Sequence, residues 1–180
     1  MMGNIFYLSG FMASGKSTIG RIVANTLGWD FIDLDEEIEK RENRKITKIF
    51  SDDGEEYFRK RETEILREIA IGDKLIISLG GGTLIKPENR DFIERTGKLI
   101  FLKTSSQIVY CRLKYKNDRP VLLKNGEDAD ENSYIKRIES LMEKRKDFYS
   151  NADYAFDTDD DSVSETVDKI AKVIRNSISK

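Results

Sequence analysis

Residues 10–18 read GFMASGKST and match the pattern G-x-x-x-x-G-K-[S/T] at Gly10, Gly15, Lys16 and Ser17. The chemistry that suits this spacing is the binding of a phosphate chain. Glycines let the backbone turn so that successive N–H groups converge on an anion. A helix opening at Lys16 adds the partial positive charge of its N-terminus. Lys16 would reach the β- and γ-phosphates, and the Ser17 hydroxyl would hold Mg²⁺. A glycine-rich turn that binds nothing is the plain alternative, but an apolar strand precedes the motif and an amphipathic helix follows it. The motif specifies a nucleotide and not a reaction, since GTPase switches, ATPases and small-molecule kinases share it.

Other candidates lie further along. Asp33 and Asp35, in DLDEEIE, are two apart at the end of a short apolar run. In an open α/β sheet that end borders the ligand crevice. Taken alone, the simpler reading is a helix N-capped by Asp35 with acidic residues in its first turn. Gly80, Gly81 and Gly82, in LGGGT, either let backbone approach a ligand or make a tight turn. Arg59 in YFRKRE, Arg119 in NDRPVL and Arg145 in EKRKDFY are ordinary surface charges if read singly.

Composition removes several chemistries. The chain has no histidine, which excludes Ser-His-Asp and Cys-His catalysis and histidine-ligated zinc. Acid–base work falls to Asp, Glu, Lys, Tyr or Cys. With Cys111 as its one cysteine, the chain forms no internal disulfide, which fits a reducing cytoplasm. Lys plus Arg number 31 against 33 Asp plus Glu, so the net charge of −2 gives no global pull towards nucleic acid or an anionic membrane. The opening MMGNIFYLSG is not expected to be a signal peptide, and no apolar run has bilayer-spanning length.

The elements that must position these residues follow from periodicity. Short apolar runs at 4–9, 30–33, 74–79, 98–103 and 153–158 read as buried strands. Helical spacing covers 16–28, with Ile19, Ile22, Val23 and Leu27 on one face and Gly28 as its stop. It recurs over 55–71, 134–149 and 162–178, and Pro87 is placed to open another helix. Strands alternating with helices predict a three-layer α/β/α fold, with a central parallel sheet of about five strands. The polar stretch 116–133 is too long for a simple connection; loops of this kind are often lids, and some are merely disordered. All 180 residues are expected to form one domain.

GFMASGKSTIGR, DLDEEIE, FSDDGEEYFRKRE, SLGGGT, NDRPVL and EKRKDFY occur in this order, from about residue 5 to about residue 158. In these segments and their spacing the chain resembles the shikimate kinases, small P-loop enzymes of aromatic amino-acid (chorismate) biosynthesis. The resemblance implies a P-loop kinase fold with a mobile lid at about 113–130. It also implies transfer of the ATP γ-phosphoryl group to the 3-hydroxyl of shikimate, with Mg²⁺, by a cytoplasmic monomer that needs neither nucleic acid nor membrane. By the same resemblance, Ala13, Ser14, Gly15, Lys16, Ser17 and Thr18 would bind ATP, with Arg112 beside the adenine and Arg119 descending with the lid. Ser17 and Asp33 would hold the metal. Asp35 would orient or deprotonate the attacking hydroxyl. Arg59 and Arg145 would clamp the shikimate carboxylate over Gly80, Gly81 and Gly82.

The residue types suit these roles. Guanidinium forks bind carboxylates in bidentate fashion, and phosphoryl transfer depends chiefly on positioning and charge stabilisation. Three positions depart from the family pattern. Ala13 stands where glycine is usual, Asp147 where proline is more frequent, and FDTDDDSVSE is more acidic and lacks a proline. The competing expectations are a gluconate-type sugar-acid kinase, a nucleoside monophosphate kinase, and a nucleotide switch or catalytically silent relative. KNDR at 116–119 does not match the Asn-Lys-x-Asp motif of GTPases. The retention of Lys16, Asp35, Arg59, Arg119 and Arg145 argues against silence.

Overall fold

The computed structural model describes residues 4–114 and 131–178. Arg119 and the predicted lid, apart from Leu113 and Lys114, lie outside the described residues. Five strands, β1 (Ile5–Gly10), β2 (Asp30–Asp33), β3 (Leu75–Ser78), β4 (Lys98–Lys103) and β5 (Tyr154–Asp157), form one sheet. Their order is β2-β3-β1-β4-β5, and every pairing is parallel. The helices are α1 (Lys16–Leu27), α2 (Leu34–Glu42), α3 (Ile46–Asp52), α4 (Gly54–Ile69), α5 (Pro87–Thr96), α6 (Ser106–Leu113), α7 (Glu131–Glu143), α8 (Lys146–Tyr149) and α9 (Val163–Ile178).

β1 is central and buried along its whole length, and strand alternation explains how it builds two cores. Ile5 and Tyr7 join the layer that holds Leu34, Ile38, Ile49, Phe58, Ile65, Leu66 and Ile93, from α2 to α5. Phe6 and Leu8 join the opposite layer with Ile19, Val23, Val167, Ile170 and Ile174, from α1 and α9. A third, smaller cluster of Phe11, Val109 and Ile138 seats α6 and α7 beside the loop after β1. The predicted three-layer α/β/α architecture and its five parallel strands are therefore present.

The local differences have physical causes. Ile22 points partly into solvent, while Gly20 and Ala24 take the buried face of α1. The helices α3 and α6 were not legible as separate elements, because they are short, whereas the helix read after DLD is present as α2. Residues 131–133, read as loop, open α7, and the helix predicted over 134–149 is divided at Lys144 and Arg145. Pro87 does open α5, and Gly28 ends α1 with φ 67°.

Candidate active site

The loops at the C-terminal ends of β1, β2 and β3 meet α3, α4, α6, α9 and Arg145, just ahead of α8, around one cleft of about 730 Å³. Residues 12–18, Asp33, Asp35, Arg59, Gly80, Gly81, Gly82, Arg112 and Arg145 all line it. Apart from Arg119, outside the described residues, the sequence candidates thus converge on one crevice, where an open parallel sheet binds ligands.

The phosphate-loop end is tightly made. A β-carbon at Gly10 would lie 2.6 Å from Leu102 O and 2.7 Å from Ser14 Oγ, and Gly10 has φ 150°. Gly15, the N-cap of α1, has φ 97°, and Ala13 has φ 60°. The unusual alanine therefore adopts a left-handed conformation that glycine takes without cost. Lys16 Nζ donates to Gly10 O at 2.9 Å and Phe11 O at 3.0 Å, so its ammonium lies across the loop. Ser14 Oγ is buried and has no hydrogen-bond partner among the described residues. A buried hydroxyl without a partner is costly, and an incoming phosphate oxygen would relieve it.

Ser17 Oγ donates to Asp33 Oδ2 at 2.6 Å, joining the first turn of α1 to the end of β2. The other oxygen, Asp33 Oδ1, accepts from the amides of Asp35 at 3.1 Å and Glu36 at 3.4 Å. Asp33, and not Asp35, is therefore the N-cap of α2. One hydroxyl and one carboxylate, both oxygen donors beside the phosphate loop, form the kind of pair that suits a hard divalent cation. Asp35 does not cap the helix and lines the cleft, where a β-carbon at Gly80 would approach its Oδ1 to 2.6 Å.

Beyond Gly80 the cleft holds two guanidinium groups. Arg59 lies over the Phe58 ring, its carbon Cζ 5.1 Å from the centroid. It donates through Nη1 to Glu62 Oε2 at 2.9 Å and through Nε to Glu55 Oε1 at 3.3 Å. Its guanidinium packs so closely on Gly82 that any β-carbon there would collide with it. Arg145 Nη1 donates to Gly81 O at 3.0 Å, and its guanidinium lies 5.6 Å from the Phe11 ring centroid. Beneath it, burial raises the pKa of the Tyr149 phenol, while Arg145's charge and hydrogen bond oppose the rise. Two guanidinium groups thus flank the triple glycine from different helical segments, and Ile46, Phe50 and Phe58 add an apolar wall.

At the opposite end, Arg112 Nη1 donates to Ala13 O at 2.9 Å and Nη2 to Thr158 O at 3.3 Å. The fork bridges the phosphate loop and the segment after β5, where Thr158, Asp161, Val163 and Thr166 line the cleft.

Glu62 was missed in the sequence. Only 1% exposed, it accepts from Arg59 on one oxygen and from Thr83 Oγ1 on the other at 2.7 Å. Its signal was available: it lies on the buried stripe of α4 with Phe58, Ile65, Leu66 and Ile69. An acidic residue inside an apolar stripe needs a built partner.

The phosphate loop, the acid pair beside it and the cationic pocket opposite define a small P-loop kinase. The shikimate kinase family model matches residues 12–175. The shikimate kinase of Chlorobaculum parvum is 40% identical over 176 residues, covering 97% of this chain and 94% of its own. The solved structure of shikimate kinase from Acinetobacter baumannii in complex with shikimate superposes with a TM-score of 0.86 at 31% identity, covering 99% of this chain and 96% of that one. A gluconokinase from Sinorhizobium meliloti reaches a TM-score of 0.58 at 19% identity, covering 97% of this chain and 93% of its own, a likeness of fold alone. The chain belongs to the shikimate kinase family. Among the described residues, no helix is long and apolar enough to cross a membrane.

Proposed function

We infer that the chain is an ATP-dependent shikimate kinase, transferring the γ-phosphoryl group to the 3-hydroxyl of shikimate to give shikimate 3-phosphate and ADP. The observation that supports this reading is one cleft lined together by the phosphate loop, Asp35, Gly80–Gly82, Arg59 and Arg145. A small carboxylate-bearing alcohol bound by the two arginines would present a hydroxyl to Asp35 and point it at the nucleotide.

In this assignment Arg59 and Arg145 bind the acceptor carboxylate, a task for which planar forks are suited. Asp35 orients the attacking hydroxyl and takes its proton as the new P–O bond forms and ADP leaves. Backbone amides of residues 13–18 cradle the phosphates, and Lys16 offsets their charge. Ser17 and Asp33 would hold Mg²⁺, which when bound neutralises phosphate charge. Arg119 is assigned to the phosphates by resemblance, on a lid that would exclude water. The chain is taken to act as one domain, a monomer, in the cytoplasm. Its single cysteine agrees with that compartment.

The test is ADP release from Mg-ATP with shikimate, gluconate, AMP or no acceptor. Rapid release with shikimate alone is expected. Release with gluconate or AMP but not shikimate would overturn the acceptor assignment. Asp35→Asn should then lower turnover by about 10²–10⁴-fold, the usual range for a general base, with ATP binding retained.

A further inference from the structure

The acidic run at 157–161 looks self-repelling in sequence, yet three of its four carboxylates have separate partners. Asp157 Oδ1 accepts from the Asp159 amide at 3.1 Å. Asp161 receives Lys169 Nζ on both oxygens, at 2.7 and 2.6 Å. Asp159 reaches into a different element. Its Oδ1 accepts from Thr104 Oγ1 at 2.8 Å and from Ser105 N at 3.2 Å, and its Oδ2 accepts from Ser105 N at 2.9 Å.

Ser105 is the N-cap of α6, and Arg112 lies in the last turn of that helix. We propose that Asp159 is a positioning residue for the nucleotide, fixing the start of α6 so that Arg112 is held correctly in the cleft. The proposal rests on the reading of Arg112 as a nucleotide contact.

The connections form a closed circuit. Thr158 donates to Lys103 O through both its amide, at 2.9 Å, and its hydroxyl, at 3.0 Å. Asp159 then grips the two residues that follow Lys103. From there α6 runs to Arg112, which returns to Thr158 O and also reaches Ala13 O in the phosphate loop. The helix is therefore held to the same segment at its first turn and at its last. From Ser105 to Arg112 is about 10 Å of helix, so a tilt of about 6° at the start moves the guanidinium about 1 Å. Misplacement on that scale is costly for a group that positions a substrate. The Asp159 carboxyl is held below its ordinary range: burial pushes it up, but the hydrogen bonds from Ser105 and Thr104, and the charge of Arg112, outweigh that. Ionised, it makes stronger charge-assisted bonds than a neutral acceptor would.

The test compares Asp159→Ala, Asp159→Asn, Arg112→Ala and the double variant Asp159→Ala/Arg112→Ala in steady-state kinetics, with ADP affinity measured by calorimetry. Asp159→Ala should raise KM for ATP and weaken ADP about tenfold, the loss of about one good hydrogen bond, with kcat and KM for shikimate little changed. Asp159→Asn keeps an acceptor and should recover most of the loss. The double variant should be no weaker for ATP than Arg112→Ala alone, because both changes act through one guanidinium. If Asp159→Ala does not fold, Thr104→Val, which removes one hydrogen bond, should show a smaller shift confined to ATP.

Unchanged ATP affinity in the foldable Asp159 or Thr104 variants overturns the proposal. So do losses that multiply in the double variant, or equal rises in both KM values. If Arg112→Ala alone leaves ATP affinity intact, the reading of Arg112 fails, and this inference falls with it.

Discussion

A β-carbon built on Gly80 would lie 2.6 Å from Asp35 Oδ1 and 3.0 Å from Glu62 Oε1. The first glycine after β3 is thus the gap into which two carboxylates from different helices approach the strand end. Its φ is not in the left-handed region, so the requirement is one of space alone.

Gly80→Ala should therefore fold but displace Asp35. We expect kcat/KM for shikimate to fall about 100-fold, the cost of an ångström-scale misplacement at a reacting group. Affinity for ADP, measured by calorimetry, should stay near the parent value. An alanine variant with parental kinetics would show that Asp35 does not need this gap.

Glu62 joins Arg59 to Thr83 inside the protein, with the glutamate side chain 1% exposed and the arginine side chain 16% exposed. Removing one partner leaves the other charge buried and the Thr83 hydroxyl without its acceptor. Glu62→Ala is expected to lower unfolding stability by about 3 kcal/mol and to raise KM for shikimate about tenfold through a loosened Arg59. Urea unfolding and shikimate titration check the two effects separately. A stability loss with unchanged KM would make Glu62 a purely structural residue.

The sequence made some of this legible and hid the rest for physical reasons. The phosphate loop carries its chemistry in backbone geometry, and backbone geometry leaves a trace as glycine spacing, so Gly10, Gly15, Lys16 and Ser17 could be read directly. The continuous apolar run in NIFYLS and the face Ile19–Val23 similarly exposed the sheet and the first helix. Asp33 and Asp35 could not be told apart, because a capping carboxylate and one that does not cap have the same letter. Only the bonds from Asp35 N and Glu36 N separate them. Glu62 shows its burial through its place on the apolar stripe of α4, but its partner Thr83 is distant in sequence and could not be named. The acidic run at 157–161 read as an irregularity, since Thr104, Ser105 and Lys169 that satisfy it belong to other elements.

Ala13 has φ 60° in the middle of the phosphate loop. An L-residue pays about 1–2 kcal/mol for that conformation, and glycine pays part of it back as unfolded-state entropy. Ala13→Gly should be stabilising by about 0.5–1 kcal/mol, a rise of about 2–3 °C in Tm for a chain of this size. Differential scanning calorimetry of the unliganded protein measures it. A lower Tm would mean that the methyl group makes contacts worth more than the strain.

Glu42, at the end of α2, gathers cations from two directions. Oε1 accepts from Arg61 Nε at 2.7 Å, and Oε2 accepts from the Tyr57 hydroxyl at 3.0 Å and Arg44 Nη2 at 3.2 Å. Its pKa is lowered from the ordinary 4.5, first by the Arg61 hydrogen bond, against burial, with Tyr57 and Arg44 adding to the fall. A carboxyl whose folded pKa is depressed binds its proton more readily in the unfolded chain. Its contribution to stability is then complete above the unfolded value and is lost as pH drops through the folded one. Glu42→Gln should lower Tm by about 5 °C at neutral pH, in line with the loss of a charge-assisted hydrogen bond. The gap between parent and variant should hold down to about pH 5 and close below the ordinary carboxylate range. Thermal melts from pH 7 to pH 3 follow it. A gap that stays constant through that window would assign the stabilisation to packing around Tyr57 and not to the charge.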